Sequence, residues 1–511
     1  MRIIEIVLKN YRAFYGEHTI SLDNDGKNLM IFGENGSGKS SLFTALKTFF
    51  QSSVTSVDVE ENIFVPASQK NTSSIKLTIK EAADSSKSTT YELTGVNKKL
   101  ISNDNLVISD ANKIKAFFDY KSLLRTHLVK DDAVNLFHLL LDEILVNSEN
   151  RFTKKELGPE WTAIHKAVFD IKQTKRQQAI VKDYITKFNN GLKELLSSIE
   201  SDTNTYLSYF NTGIKVKFDY PGLEYIGRRK IEKQQINLDI DFCTKNIPKH
   251  HFFLNEARLS ALAICIYLAS IKVNPSKGRL RILVLDDLLI GLDMSNRLPL
   301  LQIIKDHFET DFQIIMTTYD KVWYELVNNY FENQKWKYVE VYSKRLNDSD
   351  FEIPIIFNNE DFLERAEKYL VQKDYKASAV YVRTEFEKIV KSIADKKHLI
   401  VSYKKNPKEQ KSDDFWESIV NQTNIDPLLV KELQIHRGTV MNPFSHYDLE
   451  KPEFEAELRN TIDSIKKLKS AVSSINKIQT FEKLQGKIEE LQKELVSKEN
   501  TIKQMAQNMK P

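Results

Sequence analysis

The run Gly33-Glu-Asn-Gly-Ser-Gly-Lys-Ser40 restricts the fold of this chain more than any other feature. Its pattern, G-x-x-x-x-G-K-S, works when a strand enters it and a helix leaves it, because the glycines must curl the backbone around an anion and the helix start must point at that anion. Both flanks comply. "NLMIFG" ahead of the loop is a short apolar run that reads as a buried strand, and "SSLFTALKTFF" behind it spaces Leu42, Ala45, Leu46 and Phe49 as one helix face. Two more strand-like runs, "IIEIVL" from Ile3 to Leu8 and "HTISL", come earlier. The order predicts an α/β unit organised on a phosphate-binding loop.

Each residue of the loop then has an expected task. Gly33, Gly36 and Gly38 let the chain curl, so that backbone N–H groups of the stretch through Asn35, Ser37 and Ser41 face phosphate oxygens. Lys39 is expected on the β- and γ-phosphates of ATP, and the Ser40 hydroxyl on Mg²⁺. A second segment, "RILVLDDLLIGLD" from Arg281 to Asp293, carries a buried-strand run, Ile282 to Leu285, that ends in two acids. A magnesium–nucleotide site needs an oxygen ligand on a rigid element, which assigns Asp286 to the metal. Asp287 follows as the residue to orient or deprotonate the attacking water.

Together with a "KNYRAF" phrase after the first strand, these segments resemble the RecF/SMC/RecN branch of ABC-type ATPases. The resemblance implies an ABC/RecF-like P-loop ATPase head with a short helical-hairpin insertion, followed by an all-α C-terminal domain and a short coiled coil. It also implies a head-to-head dimer with two ATP molecules sandwiched between copies. The signature segment of such ATPases looks represented by "FFLNEARLSALAICIYLAS", with Asn255 where Ser is usual and Ala257 where Gly is usual. Asn255 and Glu256 would then face the γ-phosphate held by the second copy, Asn being able to donate and to cap a helix. Asp293 matches the acid at the dimer seam. Asp287 stands where Glu is usual and Tyr319 where a switch His is usual; the first is shorter and the second cannot change charge near neutral pH, so slow hydrolysis is expected.

The expected organisation is an N-terminal ATPase lobe over 1–150, a helical hairpin over 151–212, and a second ATPase lobe over 213–345. A helical domain over 346–475 and a coiled-coil tail over 476–511 complete it. The hairpin is read from the Lys-, Glu- and Gln-rich stretch Phe152 to Phe210, with arms of about 25 residues reaching ~40 Å. The tail is read from Phe481, Leu484, Ile488, Leu491, Leu495, Ile502 and Met505, whose three- and four-residue steps make a stripe that needs a partner helix.

Composition narrows the function classes. The chain is 41% hydrophobic and 28% charged, with a mean hydropathy of −0.41. No apolar run nears the ~20 residues of a membrane span, and the N-terminus lacks a secretory pattern, so a cytoplasmic protein with no membrane partner is expected. Cys243 and Cys265, without a C-x-x-C, exclude a disulfide framework. A net charge of +4 from 74 basic and 70 acidic residues permits DNA binding by local patches without indicating it.

In the C-terminal third, Arg383 and Glu387 share a helix face, and "HRGTVMNPFSHYD" follows with Asn442 and His446. Arg383, Glu387 and His446 resemble the constellation of HEPN and anticodon-nuclease ribonucleases. The compact R-x4-6-H spacing is absent, and an (i, i+4) ion pair explains the first two residues equally, which favours a structural role. Over roughly residues 1 to 345, and more loosely beyond, the chain resembles stand-alone ABC ATPases of bacterial anti-phage systems, the ATPase subunit of the PARIS system first and the Septu ATPase second. That resemblance implies a homo-oligomeric sensor and scaffold which sequesters a separate TOPRIM-type nuclease and releases it when a phage trigger protein is detected. The alternatives are an ATP-gated anticodon-nuclease-like RNase and a RecF-like DNA repair ATPase.

Overall fold

The structure, a computed structural model, describes residues 1–81, 87–100, 106–114, 116–119, 135–170, 174–227, 229–248, 250–274, 279–288, 292, 294–331, 334–346, 351–358, 362–402, 404, 410–441, 455–477 and positions 492, 495 and 498. The chain divides into two units, Met1–Asn359 and Glu360–Pro511.

The first unit opens with strands β1 (Arg2–Tyr11), β2 (Phe14–Ser21) and β3 (Asn28–Gly33) and helix α1 (Lys39–Gln51). Strands β4 (Ser74–Lys80) and β5 (Ser88–Thr94), helix α2 (Leu106–Lys113) and strand β6 (Phe117–Asp119) come next. Helices α3 (Leu157–Asp170), α4 (Lys175–Tyr209) and α5 (Glu256–Val273) occupy the middle of the unit. It closes with β7 (Ile282–Asp286), α6 (Met294–His307), β8 (Gln313–Thr318), α7 (Lys321–Tyr330), β9 (Trp336–Arg345) and β10 (Glu352–Asn358).

Two sheets share these strands. One is antiparallel, in the order β2-β1-β4-β5; the other runs β10-β9-β3-β8-β7-β6 and is parallel except for β10. Strand β3, which leads into the glycine-rich loop, therefore sits between β9 and β8, and the acid-bearing strand β7 lies just beyond β8. Alternation along β3 accounts for its burial on both faces. Leu29 and Ile31 join the core that α1 and the antiparallel sheet share, while Met30 and Phe32 join the core built with α4, α5 and α7. Gln313 ties the two sheets together: its buried amide donates to the Ile3 carbonyl at 2.8 Å and accepts from the Ile3 N–H at 2.7 Å.

The stretch from Phe152 to Phe210 forms two consecutive helices, but they are unequal. Helix α3 has 14 residues and α4 has 35, in place of two arms of about 25. The reason lies in the apolar stripe of α4. Ile185, Phe188, Leu192, Leu196 and Ile199 recur every three or four residues and are buried in the core that holds α5, so the long arm is packed along this length. Helix α5 is apolar on every side and is buried without interruption from Leu259 to Ile271.

The second unit is helical where it is described: α8 (Phe362–Val371), α9 (Tyr375–Lys396), α10 (Ser412–Gln422), α11 (Pro427–His436) and α12 (Glu455–Ala471). Val382, Phe386, Trp416, Leu433 and Ile465 are among the residues of its own core. The coiled-coil stripe from Phe481 to Met505 lies outside the described residues except at Leu495. No helix among the described residues is long and apolar enough to cross a membrane.

Candidate nucleotide site

The loop after β3 is shaped for an anion before any ligand is considered. Gly36 has φ +86° and Gly38 has φ +101°, a region that glycine enters without penalty and that folds successive N–H groups towards one point. Helix α1 starts directly after Gly38, with no side-chain cap and no acid in its first turn. Its free N–H groups and the positive end of its dipole are thus left for an incoming anion. The Ser37 hydroxyl is buried and has no hydrogen-bond partner among the described residues. A buried hydroxyl left in that state costs roughly 1–3 kcal/mol, which a phosphate oxygen would recover. Glu34, Asn35, Gly36 and Ser40 are exposed around the loop, whereas Lys39 is buried, its ammonium donating to the carbonyls of Gly33 at 2.6 Å and Glu34 at 3.0 Å. Behind the loop, Pro354 of β10 and the Phe14 ring close on Gly38.

Asp286 and Asp287 reach the same end of the sheet. Asp286 is the last residue of β7, in register with Thr317 of β8, whose hydroxyl donates to its carboxylate. The Ser40 hydroxyl faces that carboxylate and favours its charged form. Even so, burial pushes the Asp286 carboxyl above the usual aspartate range, against the pull of Thr317, Ser40 and Lys39, and the negative charge of Asp119 adds to the rise. Asp287 has φ +53°, an uncommon conformation for a residue other than glycine, and its carboxylate accepts the backbone N–H of Tyr319 at 3.2 Å. Burial raises its pKa too, opposed by that N–H and by the Lys39 charge. Lys39 moves the other way: burial lowers it, and Asp287 and Asp286 partly restore it. One ammonium, one hydroxyl and two carboxylates from sequence positions almost 250 apart thus sense one another's charge.

The remaining expected residues fall in several places. Ser41 follows Ser40 in the first turn of α1. Asn255 is the N-cap of α5, accepting from the Arg258 N–H at 3.0 Å, with Glu256 as the first residue of the helix. Both are exposed, and neither is hydrogen-bonded to the phosphate loop among the described residues. The backbone of Tyr319 reaches Asp287, while its side chain is exposed. Asp293 lies outside the described residues, as do Asn442 and His446. In the second unit the Arg383 Nε donates to Glu387 at 3.0 Å one helical turn away, an (i, i+4) ion pair.

Three participants were not legible as such. Asp119 ends β6 and pairs in register with Asp286, which places a third carboxylate at the same sheet edge. Thr317 holds Asp286, its signal being no more than a Thr at the end of the run "IIMTT". Asp320 caps α7 through the Trp323 N–H and pairs with Arg297 of α6 at 2.7 Å, fixing the turn that carries Tyr319.

Residues 2–338 match the RecF/RecN/SMC N terminal domain family. The chain belongs to that family, an ABC/RecF-like group of ATP-binding ATPases with an SMC-head-like α/β fold. Similar solved structures include an Smc head bound to the C-winged helix domain of ScpA, at 12% identity over 70% of this chain and 99% of that chain, with a TM-score of 0.38. An Smc head with an extended coiled coil, bound to the C-terminal domain of ScpA derived from Pyrococcus furiosus, matches at 12% identity over 73% and 99%, with a TM-score of 0.43. The SMC head domain from Thermotoga maritima matches at 14% identity over 70% and 100%, with a TM-score of 0.34. No curated protein sequence matches the chain.

Proposed function

We propose that this chain binds ATP with Mg²⁺ and hydrolyses it slowly, pairs head to head with a second copy, and works in the cytoplasm as the sensor and scaffold subunit of an anti-phage system. The observation that carries the nucleotide reading is the meeting of Lys39 and Ser40 with Asp286 and Asp287 at one end of the sheet. Lys39 leaves its two carbonyl partners to hold the β- and γ-phosphate oxygens, while the loop N–H groups and the Ser37 hydroxyl take the remaining oxygens. Ser40 and Asp286 would hold Mg²⁺, which would supply charge neutralisation of the phosphates. Asp287, made more basic by burial and anchored by the Tyr319 N–H, accepts the proton of the attacking water. Its short side chain and the Tyr319 that stands in place of a switch His support slow turnover. ATP binding by Lys39→Ala, measured by calorimetry on the folded variant, tests the reading: loss of binding is expected, and full ATPase activity in that variant would overturn it.

The scaffold role rests on that slow site and on the separate helical unit, which has a core of its own. In this reading the second copy presents Asn255, Glu256 and Asp293 to the nucleotide, higher homo-oligomers form, and a TOPRIM-type nuclease is held inactive until a phage trigger protein arrives. Co-expression with a TOPRIM-type nuclease, where the neighbouring gene encodes one, is the test. Growth should be protected by the intact chain and lost with Lys39→Ala, and equal protection by both would refute a nucleotide-dependent scaffold.

A further inference from the structure

The end at which α3 stops and α4 starts packs against a hairpin of two short antiparallel strands, Glu224–Gly227 and Lys230–Glu232. Val168, Val181 and Tyr225, one from each element, belong to a single core. Their neighbours in the chain, Phe169, Ile180 and Ile226, are 66%, 60% and 46% exposed. Lone exposed apolar side chains need no explanation, but these three share their end of the unit with unmatched charge. Lys166, Lys175, Arg176, Lys182, Arg229 and Lys230 are exposed, and none of them forms an ion pair among the described residues. Of the four acids in the same stretches, Asp183 is paired with Lys187 and Glu224 with Lys233, which leaves Asp170 and Glu232. The resulting excess, six cations over two acids, is as large as the net charge of +4 on the whole chain. A surface that gathers one sign in this way attracts the opposite charge.

Cations alone suit any polyanion, so the apolar groups among them decide which. The Arg229 guanidinium carbon lies over the Phe169 ring, 5.5 Å from its centroid, and the ring still keeps most of its area in solvent. A guanidinium on an aromatic ring is a platform against which a planar base stacks, and Ile180 and Ile226 add apolar area for further bases. A duplex hides its base faces inside the stack, and an acidic polypeptide offers carboxylates without flat rings. An unpaired strand satisfies both halves of the surface: its phosphates meet the lysines and arginines while its bases lie on the apolar groups.

We propose that this end of the α3–α4 pair, with the hairpin strands beside it, binds single-stranded nucleic acid. None of its residues belongs to the nucleotide site, so Lys39→Ala should bind the strand as the parent does, and a failure of either idea leaves the other standing. Fluorescence anisotropy on the full chain, with a labelled oligothymidylate of about 20 nucleotides and no added nucleotide, reads the affinity. Saturable binding is expected at ~50 mM salt, weakening about 50-fold by ~200 mM if some four of the six cations meet phosphates. A duplex of the same length should bind at least about tenfold more weakly. Lys175→Glu, Arg176→Glu and Lys182→Glu combined should remove binding; all three positions are exposed, and acids near the start of α4 favour the helix, so the variant folds. Phe169→Ala should weaken binding about 5- to 150-fold, the loss of one stacked base, without altering its salt dependence. Absence of saturable binding at ~50 mM salt, a duplex bound as tightly as the strand, binding that survives the triple charge reversal, unchanged affinity in Phe169→Ala, or displacement by poly-glutamate as effective as by unlabelled oligothymidylate would each overturn the proposal.

Discussion

Lys39 and Arg383 are both partly hidden cations with carboxylates nearby, yet their surroundings differ in kind. Arg383 has a carboxylate of its own: Glu387 lies one turn along α9, and the two groups meet at 3.0 Å. Close by, Arg437 pairs with Asp413 and rests against the rings of Phe386 and Trp416. Lys39 is instead hydrogen-bonded to two backbone carbonyls, and the carboxylates of Asp286 and Asp287 act on it through their charge. Around it a serine hydroxyl is buried without a partner among the described residues, the aspartate just after strand β7 takes φ +53°, and two acids are held above their usual pKa. The Arg383–Glu387 pair brings opposite charges into direct contact. A ligand site keeps desolvated groups incompletely matched, at a cost in stability that an arriving phosphate removes.

That contrast can be broken at either end. The largest effect is expected at Lys39, where Ala should weaken ATP binding at least about a hundredfold, as expected for losing a buried charge-assisted contact to phosphate. Next comes Asp287→Asn, which keeps a residue tolerant of positive φ but abolishes the base. ATP affinity should persist while hydrolysis falls by roughly 10²–10⁴-fold in a single-turnover assay. Undiminished hydrolysis would move the base elsewhere, with Asp119 the first place to look.

Proton linkage gives a smaller and more discriminating effect. The folded state raises the pKa of Asp287 above its ordinary 3.8, so it takes up a proton more readily than the unfolded chain. Stability from this group is therefore present at low pH and is lost as pH rises from the ordinary aspartate value through the raised one. Asp287→Asn should accordingly melt at a higher temperature than the parent at neutral pH, with the gain vanishing below pH ~3.8. A lower melting temperature at pH 7 would mean that Asp287 contributes to the fold. The smallest effect is expected at Arg383→Gln, whose partly exposed pair contributes about 0.3–0.5 kcal/mol. Chemical denaturation should scarcely shift and ATPase activity should stay intact. Loss of an RNA-cleaving activity in this variant with unchanged stability would instead make the second unit a catalytic one and erase the contrast.

Much of the head was readable because its signals are local. "NLMIFG", the glycine-rich turn and "SSLFTALKTFF" encode strand, loop and helix within about twenty-five residues, and "ILVLDD" encodes a buried strand with acids at its end. The helices flanking residue 172 were also visible as helices. Their unequal lengths were not, because composition marks a helical stretch without marking where its connection falls. Asp119 was invisible for another reason. A three-residue edge strand, Phe117–Asp119, has too little pattern to stand out, and its acid acquires meaning from its register with Asp286.

The amino-acid order alone thus determined that a phosphate loop exists, which lysine and serine it offers, and which distant acids could complete it, since propensity and periodicity act over a few residues. Tertiary structure decided the rest: that β8 lies between the two strands, that Thr317 and Asp119 gather on Asp286, and that Tyr319 serves Asp287 with its backbone while its ring faces outward. These are properties of strand order and register, and a parallel sheet sets both through crossovers scores of residues long that no local pattern records.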